Sequence, residues 1–283
     1  MDLIVSTAAL AEFCERASKF EFVTVDTEFL RETTYWPRLC LIQVATDDEA
    51  VLIDPLAPDI KLAPFFELLA NPNVTKVFHA ARQDVEIFVK LTGAVPHNIF
   101  DTQVAASVCG FGDSASYDSL VRSICKVELD KSSRFTDWSA RPLSEKQRTY
   151  AIADVTWLRD IYRELRKQVE ATRRWDWVED EMTTLRSIDT YVVQPEQAWN
   201  RLKMKFNRPR DLAAIKLLAQ WREQKAQDTD QPRSRILKDD VLGELATQRP
   251  LTPDAFEKLR AVPRGFGRSA AAGEIMALLK QVD

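Results

Sequence analysis

Hydrophobic residues change their spacing more than once along this chain. Between residues 22 and 53 they fall in short runs rich in Val, Ile and Leu, at 22–26 (FVTVD), 39–45 (LCLIQVA) and 50–53 (AVLI). Runs of that length with short polar connections predict neighbouring antiparallel strands. The spacing becomes helical near 60–70, returns to a strand at 74–79 (VTKVFH), and is helical again from Gln83 to about Leu91. A short strand ending at Asp101 follows, and the stretch to about 180 reads as mostly helix. Strands paired first by hairpins and then alternated with helices predict an α/β fold, a mixed sheet flanked by helices.

The pattern loosens over 170–210, where Pro195 and the run WNRLKMKFNRPR interrupt it. From Leu212 onward only helical periodicity remains. Apolar residues recur at Leu212, Ile215, Leu218, Ala219 and Trp221, and further helices are predicted over 237–247, 252–260 and 268–281. No Val/Ile-rich alternation occurs there, so this stretch predicts a small all-α bundle.

Charge sharpens the division. The formal net charge of −4, taken as a mean, speaks against a nucleic-acid partner. Residues 1–199, however, hold 22 basic and 32 acidic side chains, while 200–283 hold 17 basic and 11 acidic. Such asymmetry points to contact with a polyanion or a membrane surface. The cations gather at Arg201, Lys203, Lys205, Arg208 and Arg210 and recur at Arg233, Arg235, Arg264 and Arg268. A solvated face accounts for such a run as well as a phosphate-binding surface does. VPRGFGRSA offers backbone N–H groups ahead of the last helix, though a plain turn is the simpler account. Cys14, Cys40, Cys109 and Cys125 show no CxxC spacing, which favours a reduced cytoplasmic setting over a disulfide framework. The N-terminus lacks a basic leader, and no run approaches the ~20 apolar residues of a membrane span, so no membrane partner is expected.

The chemistry-bearing residues are acidic. VDTEF places Asp26 and Glu28 two residues apart in a strand, hence on one face. Two solvated charges at a strand end would look the same. Tyr150 and Asp154 are spaced i, i+4 on a helix whose start is marked by Pro142 and a Ser144/Gln147 capping box, and a surface Tyr–Asp pair is the plain alternative. In KVFHAARQDVEIF, His79 ends a strand and Asp84 opens a helix, where a carboxylate also serves simply as a cap. Taken together the order is D-x-E, D, Y-x-x-x-D. Hard oxygen donors of this kind suit Mg²⁺ or Mn²⁺, and with only His79 and His97 and no thiolate cluster, zinc is disfavoured. GxxxxGK[ST], GxGxxG and GxSxG are all missing, which removes the common phosphate-cradle enzymes and α/β-hydrolases. Two-metal phosphodiester cleavage is the chemistry that needs several carboxylates and little else.

These motifs resemble the DEDD superfamily of 3′→5′ exonucleases, in the YxxxD subclass, and within it the bacterial ribonuclease D family. VDTEFLRETTYWPRLCLIQVA, VLIDPLAP, KVFHAARQDVEIF, FDTQVAA and LDKSSRFTDWSARPLSEKQRTYAIADV match in order and spacing. The last helical stretch is similar to an HRDC domain, present once where better-known members carry two. The resemblance implies a ribonuclease H-like mixed sheet followed by an all-α HRDC-like bundle. The expected division is an exonuclease domain over 1–170, a helical linker over 171–207 and the HRDC-like domain over 208–283.

It also implies roles. Asp26 bridges two divalent cations, Glu28 and Asp154 complete the first site, and Asp84 helps hold the second. Tyr150 orients the attacking water, since a phenol with a pKa of about 10 is a poor base. The products are nucleoside 5′-monophosphates released from a free RNA 3′ end, with tRNA precursors as the expected substrate and a monomer as the expected state. Phe29 either wedges against the terminal base or is a core residue. His79 and Lys131 are candidate phosphate or sugar contacts. Asp101 competes with Asp84 for the fourth acidic position or acts as a cap, and Trp138 with Arg141 and Pro142 forms a packed corner behind the Tyr150 helix. A DNA exonuclease of Werner type, or an inactive nucleic-acid binding module, stands as the alternative.

Overall fold

The apolar runs of the N-terminal half form the middle of a six-stranded mixed sheet in the computed structural model, which describes residues 2–282 except Lys131, Arg134 and Phe135. In chain order come β1 (Asp2–Ile4), α1 (Thr7–Ala17), β2 (Phe22–Leu30), β3 (Arg38–Ala45) and β4 (Ala50–Ile53). Next are α2 (Ala63–Ala70), β5 (Thr75–Phe78), α3 (Arg82–Thr92), β6 (Ile99–Asp101), α4 (Thr102–Val108) and α5 (Tyr117–Leu120). A 28-residue helix, α6 (Glu145–Thr172), and α7 (Trp175–Arg186) follow. Spatial strand order is β1-β4-β3-β2-β5-β6, with β3 antiparallel to both neighbours and every other pairing parallel. The β2–β3–β4 meander is the one the apolar runs predict. Strand β1 is not foreseen, because three residues are too few to display an alternation; its pairing with β4 supplies what its own pattern lacks.

Alternation along β2 sends side chains to two different cores. Val23 and Val25 join Ile42, Val44, Val51 and Ile53 beneath α1, α2 and α3. Phe22 faces the other way, with Val77 and Phe100, toward Leu158, Ile161 and Leu165 of α6 and Met182 of α7. Thr24, also on that face and fully buried, donates to Val155 O at 2.8 Å and ties β2 to α6. The expected linker segment 171–207 is therefore divided, since α7 packs into this core through Val178 and Met182.

By compactness the chain forms two units: residues up to Leu30 with Pro37–Tyr191, and Arg31–Trp36 with the chain from Val192 onward. The second unit holds α8 (Pro209–Asp228), α9 (Arg233–Ile236), α10 (Asp239–Gln248), α11 (Pro253–Phe256) and α12 (Ala270–Leu279). Its core joins Ile215 and Leu218 to Leu242, Leu245, Phe256, Ile275 and Leu279. Helix α11 is shorter than the sequence suggests. The chain beyond it turns back so tightly that a Cβ on Gly267 would lie 2.4 Å from Pro253 O, which only glycine tolerates. The GFG segment is thus a turn, and Ser269 caps α12 by accepting from Ala272 N.

Behind α6 lies a corner built on one guanidinium. Arg141 donates to both oxygens of Asp54 at 2.7 Å, to Cys40 O at 2.6 Å and to Trp138 O at 2.8 Å. Asp54 is nearly buried at the end of β4, so the pair fastens the segment before α6 onto the sheet. Asp54→Ala leaves this guanidinium without its counter-charge and is expected to cost about 3 kcal/mol in urea unfolding. Asp47→Ala removes the exposed Arg163–Asp47 pair and should cost no more than about 1 kcal/mol. Equal losses would show that the corner contributes no more than a surface ion pair.

Candidate active site

The polar face of β2 ends in Asp26 and Glu28, and α6 crosses that face. A Ser144/Gln147 capping box fixes where the helix begins, which sets which residues meet the sheet. Ala151 and Val155 are fully buried, so their helical neighbour Asp154 sits at the edge of the contact. The result is a group of three carboxylates, Asp26, Glu28 and Asp154, with one oxygen of each lying within 4.8 Å of the others. A β-bulge between Glu28 and Phe29 shifts the register immediately beyond them.

Three partly buried carboxylates at such separations repel strongly unless a cation is shared. Burial pushes the Asp26 carboxyl up to about 7, moderated by a hydrogen bond from the Thr27 backbone. An all-oxygen, multiply anionic donor set on two rigid elements fits a hard divalent cation. Tyr150 hydrogen-bonds Asp154, and its phenol is driven upward by burial and then by the charges of Asp154, Glu28 and Asp26. It stays protonated and acts as a donor. The Trp138 ring packs against it with centroids 6.0 Å apart.

A cavity of about 290 Å³ opens beside these groups, lined by Asp26, Tyr150 and Asp154 together with His79, Gln103 and Tyr117. His79 Nδ1 is 3.0 Å from Thr102 Oγ1, whose own proton goes to Phe78 O at 3.0 Å. Burial holds the imidazole below its ordinary pKa, so it is neutral. Tyr117 donates to Ala153 O at 2.8 Å and fixes the helical residue preceding Asp154. Nothing in the local pattern around SYDSL or FDTQ marks Tyr117 or Gln103 as site residues; both arrive through tertiary packing.

The remaining predicted residues lie as follows. Asp84, nearly buried on α3, lies outside the three-carboxylate group; Thr27, on the opposite face of β2 from Asp26, donates to it. Burial and then the Asp26 charge raise its carboxyl well above the ordinary range, so the two acids are within each other's field. Asp101 accepts from Ala80 N at 3.0 Å, Ala81 N at 2.8 Å and Gln103 N at 2.7 Å. It caps α4 and holds Ala80 at φ 57°, a left-handed conformation that costs a non-glycine residue energy beside the cavity. Its carboxylate is occupied as a cap. Phe29 packs, partly buried, against the core beneath α1–α3 and is absent from the cavity lining. Lys131 lies outside the described residues.

A 3′-5′ exonuclease family model matches residues 2–170, and an HRDC domain model matches 211–277. Fold and site together therefore define a metal-dependent 3′→5′ exonuclease carrying a helical HRDC domain. Ribonuclease D of Nitrobacter hamburgensis is 52% identical over 281 residues, covering 99% of this chain and 74% of that protein. Ribonuclease D of Jannaschia sp. is 54% identical over 278 residues, covering 97% and 72%. The crystal structure of Escherichia coli RNase D, described as an exoribonuclease involved in structured RNA processing, superposes with a TM-score of 0.91 at 34% identity. It covers 99% of this chain and 74% of that one. The catalytic core of Trypanosoma brucei RRP6 shares the fold, with a TM-score of 0.73 at 21% identity, over 99% of this chain and 79% of that one. The chain belongs to the ribonuclease D family and is a hydrolytic 3′→5′ exoribonuclease.

The raised Asp26 carboxyl has a measurable sign. Between its ordinary value of 3.8 and about 7 the folded chain retains a proton that the unfolded chain has released. Stability in EDTA is therefore expected to fall as pH rises from about 4 to about 7, and Asp26→Asn should flatten that slope. Thermal melts across this range check it, and an unchanged slope in the variant would assign the effect elsewhere.

Proposed function

We propose that the chain trims the 3′ ends of structured RNAs, tRNA precursors among them, by two-metal hydrolysis that releases nucleoside 5′-monophosphates. What carries this reading is the meeting of three carboxylates from β2 and α6 with a protonated tyrosine, in a chain related over its whole length to ribonuclease D. Asp26, Glu28 and Asp154 would hold one Mg²⁺ or Mn²⁺, with Asp26 shared toward a second that Asp84 helps retain. Bound there, the ions supply charge stabilisation for the phosphodiester and an activated water.

The chain's own groups handle position. The Tyr150 phenol offers a hydrogen bond to the attacking water or the phosphate oxygen beside it, and its raised pKa excludes it as the base. Neutral His79 and Gln103 border the space open to the terminal nucleotide, and Lys131 is a further candidate contact. Attack on phosphorus breaks the bond to the preceding 3′ oxygen, so phosphate leaves with the terminal nucleoside. Phe29, packed on the core, is a weaker candidate for base stacking.

The working division proposed is 1–170 for catalysis, 171–207 as a helical segment whose first part, α7, packs on the catalytic core, and 208–283 for RNA capture. A monomer in the cytoplasm fits the four free cysteines, and among the described residues no helix is long and apolar enough to cross a membrane.

Product analysis on a 3′-extended tRNA should show mononucleotide release with Mg²⁺ or Mn²⁺, with none in EDTA or with Asp26→Asn. Metal-independent release would overturn the mechanism, and a matched single-stranded DNA cleaved as fast as RNA would favour the DNA-exonuclease alternative. Charge reversal of Lys203, Lys205 and Arg208 should weaken long-RNA binding roughly tenfold or more while sparing turnover of a short oligonucleotide. Equal loss on both substrates would count against a capture role for that run.

A further inference from the structure

The second unit contains a cavity of about 620 Å³ whose lining is rich in cations. Arg31, Arg201, Arg222, Arg233 and Lys238 all border it, and the acidic side chains on its rim are Asp239 and Asp240. Its size falls in the range of ligand sites, roughly 300–1,000 Å³, and far exceeds what a single small ion requires.

Two of these guanidiniums are set in place by the fold. Glu223, only 1% exposed, takes Arg233 through both oxygens and also accepts from the Tyr35 hydroxyl. Arg233 lies over the Tyr35 ring, 5.1 Å from its centroid. Tyr35 is itself held by Gln227, and by Asp230, which accepts from the Tyr35 and Trp36 backbone N–H groups. The second guanidinium, Arg222, is 5% exposed and gives one nitrogen to Leu237 O at 2.9 Å and Asp239 at 2.6 Å. Its Nε is buried with no partner. By contrast Arg201 and Lys238 are exposed, and neither side chain makes a hydrogen bond or ion pair among the described residues.

A buried acid that organises one arginine and feels the charge of Arg201, an unsatisfied donor on another arginine, and two exposed cations that make no hydrogen bond among the described residues do not describe a solvated basic face. Guanidinium groups held in fixed orientation match the paired oxygens of a phosphate. We infer that this cavity is a second RNA-binding site that grips a phosphodiester of the strand other than the one being cleaved. The inference rests on the exoribonuclease reading for its ligand class. It differs from the exposed run at 203–208 in being a built site with its own acidic counter-charges.

Those counter-charges allow a test that misfolding cannot imitate. The full chain is titrated, in EDTA, against a 5′-fluorescent single-stranded RNA, and anisotropy is read over a series of salt concentrations. Arg201→Gln with Lys238→Gln should weaken binding about tenfold and lower the salt slope by about 0.7 for each phosphate no longer neutralised. Asp240→Asn, which keeps an acceptor for the Val241 N–H, should tighten binding. Affinity within twofold of wild type in both variants, with an unchanged slope, would overturn the inference. It would also fall if a nucleoside 5′-monophosphate bound in a manner dependent on Arg201 and Lys238 while RNA affinity did not depend on them. A wild-type chain that released no mononucleotide with Mn²⁺, yet bound RNA through Arg201 and Lys238, would remove the exonuclease reading and leave this site standing.

Discussion

Strand β2 carries Val23 and Val25 on one face and Asp26 and Glu28 on the other, while α6 brings Asp154 up against the acidic face. Like charges this close push their carriers apart, so the site cannot hold itself together and must be held by everything around it. Thr24 bonded to Val155 O, the Ser144/Gln147 cap and the Arg141 corner each restrain one end of that contact. The apolar faces beneath α1–α3 and against α6 supply the rest. In the absence of a cation the site is a local fault in an otherwise consistent fold. Such faults are where stability and function pull in different directions.

The same constraint orders the groups around the carboxylates. A phenol in that field cannot give up its proton, so Tyr150 donates and does not abstract. Asp101 accepts three backbone N–H bonds and so pins the turn from His79 to Ala81, including the strained Ala80, beside the cavity. Thr27 and Tyr117 do comparable work on Asp84 and on the turn of α6 before Asp154. Much of the site's precision therefore resides in residues that touch no reacting atom.

Period and punctuation made the sheet's centre, the capping box and the i, i+2 and i, i+4 carboxylate spacings legible, because each is a local regularity. Strand β1 was illegible because it is three residues long, and the true extent of α11 because it is decided by the approach of Gly267 to Pro253. Asp101 illustrates a subtler limit. Its sequence context suits a cap and a metal ligand equally well, and only the three N–H groups aimed at it distinguish them. Arg31–Trp36 lies in the hairpin between β2 and β3 by sequence yet belongs to the second unit through Tyr35, Glu223 and Asp230. No composition or periodicity reports such long-range membership.

Two acids drawn out of water by the fold, partly buried Asp26 and buried Glu223, show why a mean charge of −4 described neither half of the chain. Burial opposes ionisation of both. At Asp26 burial dominates, with no arginine or lysine among the causes that shape it, and its carboxyl rises to about 7. At Glu223 the hydrogen bonds from Arg233 and Tyr35 overcome burial and hold the carboxyl below its ordinary value. Where the protein supplies its own cation the acid is structural, and the arginine it fixes is free to present its remaining edge outward. Where the protein withholds a cation, the acid is poised for one from solution. The first arrangement leaves a guanidinium edge suited to phosphate and the second leaves carboxylates suited to a divalent cation, so the chain needs both signs of charge.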